Sequence, residues 1–387
     1  MQVSASDRPC ALDRPALRVR RVDAIPVALP LKKPVRMASE TLTYARNVLV
    51  RMEAADGTVG WGEAASAPTM TGDTLGGLTA AVRDHLAPAL IGADAWMRPA
   101  LMRRLRAVLR GNTGAHSAVE MALLDLAGQA SGLPLIDLMG GALRREVAPM
   151  GLIGNGTAHE DVAEAKAMAG EGIRFFKLKV GVKPLDAEIA SALEVREALG
   201  PDLPICADAN CGLSYQAARR YVEATREAGL LFLEQPFEEA DLKSLAALAR
   251  STAIPIGADE GIHSLPDIEA HAAAGAGGVS LKLIKLGGFA AALSAGTLCQ
   301  RLGLAVNAAG KVAESSLGAA ATVHLACGLD TVDWGVSLTH FYLAEDIVRT
   351  PLAMKDGLVA LPLRAGVGVE IDEAAVVRLR ASSPRDS

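Results

Sequence analysis

Short apolar segments at residues 22–29, 48–54 and 59–63 read as strands, the last two joined by the tight turn Asp56-Gly57, and together they predict an antiparallel meander. Residues 30–44 and 66–77 are polar and rich in Gly and Pro, so they read as long loops of the kind that cover a site built elsewhere. Helical periodicity follows over residues 78–90, 97–109 and 115–131, the last closed by Gly132 with Pro134 just beyond.

Past residue 147 the pattern changes. Apolar runs at 147–153, 175–180, 204–208, 230–234, 255–259, 279–283, 304–307 and 331–334 alternate with amphipathic stretches such as 159–170, 186–199, 215–227 and 242–249. Eight strands repeating every 25 or so residues predict an α/β fold of the (β/α) TIM-barrel type, modified, with seven to eight strands. A doubly wound open sheet is the alternative, but it calls for a glycine-rich phosphate turn after an early strand, and none stands there. The expected organisation is a disordered tail over 1–16, an α+β capping domain over 17–140, a catalytic barrel over 141–357, and a segment of short strands over 358–387 that returns to the cap.

Composition narrows the function classes. The chain has 387 residues and a net charge of -5, without a dense basic run, which argues against nucleic acid as a partner. Neither a membrane-spanning apolar stretch nor an apolar signal core is present, so a cytoplasmic protein with no membrane partner is expected. Cys10, Cys206, Cys211, Cys299 and Cys327 lack the pairing of a zinc site or a disulfide framework and read as reduced thiols.

The chemistry lies where the strands end. Within residues 175–181, Lys177 and Lys179 share one face of an otherwise apolar strand, and later runs end in Asp208 with Asn210, Glu234, Asp259, Lys282 and Asn307. In a barrel the carboxyl ends of the strands converge on the active site, so Asp208, Glu234 and Asp259 are brought within reach of one point. Three carboxylates in one low-dielectric cavity repel one another, and a hard divalent cation resolves the conflict; an all-oxygen set suits Mg²⁺, with Mn²⁺ the near alternative. Lys179 and Lys282 flank the trio on opposite sides. A buried lysine beside a cation is expected to have a lowered pKa suited to a general base, and the arrangement suits removal of a proton α to a carboxylate.

Lys177-Leu178-Lys179, Ala207-Asp208-Ala209-Asn210, Glu234-Gln235-Pro236, Asp259-Glu260 and the run Lys282-Leu283-Ile284-Lys285-Leu286-Gly287-Gly288 resemble, in order and spacing, the signature of the enolase superfamily, muconate lactonizing enzyme (muconate cycloisomerase) subgroup. The likeness extends to Gly60-Trp61-Gly62-Glu63 in the cap. It implies Lys179 and Lys282 as the acid/base pair and Asp208, Glu234 and Asp259 as metal ligands. Lys177 would support Lys179 or meet a substrate carboxylate. It further implies a small-molecule carboxylate substrate and a homo-oligomer.

The mandelate racemase branch has a histidine at the end of the seventh strand, where this chain reads Ala305-Val306-Asn307-Ala308-Ala309. Muconate cycloisomerases typically carry Gly-Thr-Glu-Leu at the eighth strand, where this chain has Gly335-Val336-Ser337-Leu338; the Asp-x-Asp of dipeptide epimerases is only loosely matched by Asp330-Thr331-Val332-Asp333. The resemblance therefore leaves open a cycloisomerase, a dipeptide or N-acylamino-acid racemase or epimerase, or an acid dehydratase. Other classes are a Schiff-base aldolase and a non-catalytic carboxylate-binding protein. Candidate substrate contacts are Lys177, Asn210, Trp334, Ser337, Thr41 and Thr71, with Arg36, Met37 and Thr69 also placed on covering loops. A tryptophan at a strand end, such as Trp334, is more usually packing than a substrate contact, and His116, His263 and His324 read as packing. Glu260 and Lys285, of opposite parity to their neighbours, fit ion pairs behind the reacting groups and a direct role equally.

Overall fold

A computed structural model describes residues 15–38, 41–154 and 156–381. The cap begins with a three-stranded antiparallel sheet, β1 (Val19–Arg36), β2 (Thr41–Ala54) and β3 (Val59–Ala65), in the order β1-β2-β3. The expected loop over 30–44 is largely strand. Pairing runs to Pro30↔Tyr44, lapses, and resumes at Val35↔Leu42. Pro30 and Pro34 are accommodated because β1 is an edge strand and the register shift absorbs the residues that have no N–H to donate. Most of the expected 1–16 tail lies outside the described residues.

The cap sheet packs on the buried helix Thr113–Ser131. A Cβ at Gly62 would stand 2.0 Å from Ala118 O, and one at Gly60 2.4 Å from Leu126 N. The two glycines of Gly60-Trp61-Gly62 are thus what lets the helix backbone lie against β3.

Eight parallel strands form the second sheet: Gly151–Ile153, Phe176–Lys179, Ile205–Asp208, Leu233–Glu234, Ile256–Ala258, Gly278–Leu281, Ala305–Ala309 and Val336–Ser337, called here the first to eighth barrel strands. The seam between eighth and first is joined at its lower end by Met150 N donating to Val336 O at 2.9 Å. Two sequence expectations shift. Residues 147–153 split at Pro149, so that Glu146–Val147 pairs instead with Val359–Ala360. The eighth strand is Val336–Ser337 rather than 331–334, because Trp334 turns into the barrel and stacks on Phe232 at 3.9 Å between centroids. Space for the indole comes from Gly257 and Gly278, where a Cβ would meet the ring at 2.7 Å.

Among its described residues the C-terminal segment carries one short strand and a helix, Glu373–Arg378, rather than a series of strands. Beyond that helix, Ala381 N donates to Pro26 O and Ala28 N to Leu379 O, which ties the segment to β1. Cys206, Cys211, Cys299 and Cys327 are free thiols. Among the described residues no helix is long and apolar enough to cross a membrane.

Cap and barrel are joined by a buried carboxylate. Glu63 at the end of β3 accepts from Ser315 N at 3.0 Å, Gly318 N at 2.8 Å, Asn47 Nδ2 and Ser315 Oγ, and so terminates the start of the barrel helix Ser316–Gly328. A second carboxyl, Glu314, is buried beside it and accepts from Lys311 N at 3.1 Å. Burial, and then the Glu63 charge, raise Glu314 from its ordinary 4.5 to about 8, against the opposing influence of Lys282 and Lys311. The folded protein therefore holds this proton where the unfolded chain has lost it. That contribution to stability is complete below pH 4.5 and is lost as pH rises through about 8. Glu314→Gln keeps the acceptor without the charge, so the variant should gain on the order of 2 kcal/mol over the parent at pH 9 and little at pH 5 in urea unfolding. Equal stability differences at the two pH values would sink this assignment.

Candidate active site

The carboxyl ends of the barrel strands, the loop at residues 69–70 and Met37 enclose one cavity. Strand register sets the level of its chemistry. Lys179 pairs across with Asp208 and Asp208 with Glu234, so a cation and two carboxylates end their strands side by side. Asp259 follows the fifth strand, and Lys282 follows the sixth. The strand order then opposes the lysines: Lys179 on the second strand and Lys282 after the sixth are separated by half the barrel, with the three acidic strands between them.

Each ammonium has a carboxylate. Lys179 Nζ donates to Asp208 Oδ2 at 2.7 Å and to Asn210 Oδ1 at 2.5 Å. Lys177 donates to Glu234 Oε2 and stands 3.9 Å from Asp208. Lys282 donates to Asp259 Oδ2, and Lys285 to Asp259 Oδ1 at 2.6 Å. All these groups are buried. Asn210 adopts the left-handed φ of 39°, which asparagine tolerates, and its amide then spans Lys179 and Glu260, donating to Glu260 Oε1 at 2.9 Å.

The electrostatics follow from burial set against these pairs. Burial would raise the Asp208 and Asp259 carboxyls, but Lys179 with Lys177, and Lys282 with Lys285, hold both below the usual range. Burial wins for Glu234, whose carboxyl is raised despite Lys177. Burial, with Asp259 and Asp208, lifts Glu260 to about 7. Burial favours neutral amines at Lys177 and Lys282, yet the carboxylates beside them prevail and raise both. Lys285 is lowered by burial, with Asp259 opposing.

Among the described residues no three acidic, histidine or cysteine side chains stand in ligating geometry around one point, because each site carboxylate is turned to an ammonium. The donor set nevertheless suits a hard cation. Asp208, Glu234 and Asp259 are near enough to raise one another's affinity for protons, and buried Glu260 Oε2 has no hydrogen-bond partner.

Of the expected substrate contacts, Lys177, Asn210 and Ser337 line the cavity, as do Met37 and Thr69. Three do not. Trp334 packs inside the barrel on Phe232, Thr41 is exposed at the start of β2, and Thr71 Oγ1 bonds to Asp73 Oδ2 and Ala67 O, bracing the loop that presents Thr69 and Met70. Arg36 is likewise absent from the lining. Asn307 is fully buried, donating to Trp334 O and Gly335 O across the seventh and eighth strands. His116 and His324 meet the carbonyls of Leu109 and Val367, and His263 lies 3.4 Å from Glu239; none lines the cavity.

Sequence reasoning missed Met70, Lys311, Thr339 and Tyr342, which all line it. Met70 Sδ stands 3.8 Å from Lys282 Nζ. Lys311 comes two residues after the seventh strand ends, so the strand-end rule that found Lys282 reaches it too. No periodic signal marks Met70 or Tyr342.

Comparison with known proteins gives the same picture. The Enolase C-terminal domain-like model matches residues 160–375, and the Mandelate racemase / muconate lactonizing enzyme N-terminal domain model matches residues 19–140. The chain is 32% identical over 370 residues to muconate cycloisomerase 1 of Pseudomonas putida, covering 93% of this chain and 98% of that enzyme. It is 29% identical to the L-Ala-D/L-Glu epimerase of Bacillus subtilis, covering 91% and 97% respectively. The crystal structure of muconate lactonizing enzyme from Pseudomonas fluorescens complexed with muconolactone superposes with a TM-score of 0.91 at 30% identity, over 95% of this chain and all of that one. The nearly closed eight-stranded barrel, the cap and this full-length similarity place the chain in the enolase superfamily, within its muconate lactonizing enzyme subgroup.

Proposed function

We propose that this protein is a Mg²⁺-dependent isomerase that moves the proton α to a carboxylate, as a cycloisomerase or as a racemase or epimerase. The observation that carries the reading is the opposition of Lys179 and Lys282 across one cavity, with Asp208, Glu234 and Asp259 on the strands between them. Asp208, Glu234 and Asp259 are the residues that would hold Mg²⁺ or Mn²⁺, and a substrate carboxylate would lodge on this acidic side. When bound, the cation neutralises the trio and supplies electrostatic stabilisation of an enediolate.

Everything else falls to the chain's own groups. With the carboxylates otherwise engaged, Lys179 and Lys282 would be released from the oxygens they now donate to, one to act as a free amine and the other as an ammonium. That amine takes the Cα proton, the C–H electron pair moves into the carboxylate, and the opposite lysine's ammonium delivers a proton to the other face. Lys177, buried against Glu234, holds that carboxylate in place and adds positive charge near the substrate anion.

Ser337 at the eighth strand, in place of the glutamate of muconate cycloisomerases, favours a racemase or epimerase over an enzyme acting on muconate itself. The decisive experiment incubates the protein in D₂O with acyl amino acids, dipeptides, betaines and lactones and reads mass gain at Cα. Exchange should require added Mg²⁺ or Mn²⁺ and stop with EDTA. Absence of exchange from every acid would leave the carboxylate-binding alternative standing, and borohydride trapping of a lysine would point to the aldolase.

A further inference from the structure

Strand order gives this cavity two axes. The lysines lie at strands two and six, and the acidic trio is centred on strand four, so the side opposite the trio is the seam where strand eight meets strand one. A substrate whose carboxylate lies on the acidic side and whose α-carbon lies between the lysines must extend the rest of its skeleton toward that seam. This step rests on the function proposed above.

Parallel pairing at the seam stops early. Met150 N donates to Val336 O, and in a continued parallel ladder the next N–H of the first strand, Leu152 N, would donate to Leu338 O. It donates instead to Tyr342 Oη, at 3.2 Å. Tyr342 sits in the short turn His340–Tyr342, which is tied to the cap where Ala344 N donates to Pro30 O and Leu343 bridges Leu31. Its hydroxyl is therefore tied to the first barrel strand, and the chain just after it to the cap.

A phenol oxygen that accepts a main-chain N–H still has its own hydrogen to give. Among the described residues that O–H has no protein acceptor, and both Tyr342 and Leu152 line the cavity. Burial, and then the Glu164 charge, push the phenol up to about 12, so it remains a donor throughout the working pH range. Around it the wall is formed by Met150, Leu152, Leu338 and Val312, with the hydroxyls of Ser337 and Thr339 turned to Asn307 Oδ1 and Lys311 O.

We infer that Tyr342 is a substrate-positioning residue whose O–H donates to an acceptor oxygen on the end of the substrate remote from the reacting carboxylate. The substrate class that fits is a carboxylate with an apolar body and one such oxygen, for instance an acyl or keto carbonyl, several atoms away.

The test is binding, so that it stands whether or not turnover is found. Keto acids of increasing chain length are titrated calorimetrically into the protein with Mg²⁺, each alongside the isosteric acid with a methyl branch in place of the carbonyl. At one length the keto acid should bind about fivefold tighter than its isostere, the worth of one neutral hydrogen bond, and Tyr342→Phe should erase that preference while leaving the isostere's affinity unchanged. Three outcomes overturn the assignment: no preference at any length, a preference that survives in Tyr342→Phe, or equal weakening of both acids. The last would mean that the hydroxyl merely braces Leu152 N. Loss of deuterium exchange in every acid would instead overturn the proposed function and leave these binding differences to be judged separately.

Discussion

Lys179→Ala and Lys282→Ala should each abolish inversion at Cα, by a factor of about 10³ or more, the scale of a positioned general acid or base. Both variants are expected to fold, because no carboxylate is stranded. Without Lys179, Asp208 keeps the Asn210 N–H at 3.1 Å and Lys177 at 3.9 Å; without Lys282, Asp259 keeps Lys285 at 2.6 Å. The informative readout is stereochemical. If the lysines serve opposite faces, each variant should still exchange the α-deuterium of the enantiomer facing the surviving lysine and should fail with the other. Chiral chromatography combined with mass measurement in D₂O separates exchange from inversion. Retained inversion in both variants would rule out the two-base arrangement, and loss of exchange for both enantiomers in both variants would assign them a joint structural role.

How much of this was legible in the chain depends on the kind of signal each residue carries. Asp208, Glu234 and Asp259 could be found because a repeated strand pattern fixes where each apolar run ends, and the ends of parallel strands meet. Lys282 follows from the same rule. Trp334 kept two readings open, packing and substrate contact, because an indole at the end of an apolar run looks the same whether it faces a cavity or fills a barrel. The difference was set by Gly257 and Gly278, two strands that leave room for the ring and are far away in sequence. The far part of β1, from residue 30 on, was read as loop because Pro30 and Pro34 signal interruption, whereas a register shift accommodates them. Met70 and Tyr342 had no signal at all, since a loop's contribution depends on how it closes over the barrel.

That contrast divides the site into two halves with different physical origins. The barrel half is a lattice of charges whose spacing is dictated by strand register, so the chemistry is inherited with the fold. The half contributed by Met37, Thr69, Met70 and Tyr342 is placed by loops and by the pins between cap and barrel, Glu63 on Ser315 and Gly318 among them. Substitutions in the first half should change rate for every substrate, and those in the second should change which substrate is preferred.

The lattice is also a structural necessity, and Asp259 shows it most sharply. Asp259→Ala, measured by urea unfolding in the presence of EDTA, should lower stability by about 3–5 kcal/mol, since it leaves two buried ammonium groups facing a gap. Lys285 is fully buried; besides the carboxylate it donates to the main-chain oxygens of Asp259 and Ser280, which cannot balance its charge. Burial already lowers Lys285, and Asp259 is the largest influence opposing that, so its removal should drive the amine toward the neutral form. A lysine lowered in the folded state destabilises at low pH and recovers as pH rises through its folded value, because there the folded chain gives up a proton that the unfolded chain still binds. The penalty should therefore shrink measurably between pH 7 and pH 9. Adding Lys285→Met to Asp259→Ala removes one stranded charge at similar volume and should restore at least a third of the loss. If Asp259→Ala lies within 1 kcal/mol of the parent at pH 7, or the second substitution costs further stability, then the charge pairs do not hold this end of the barrel together.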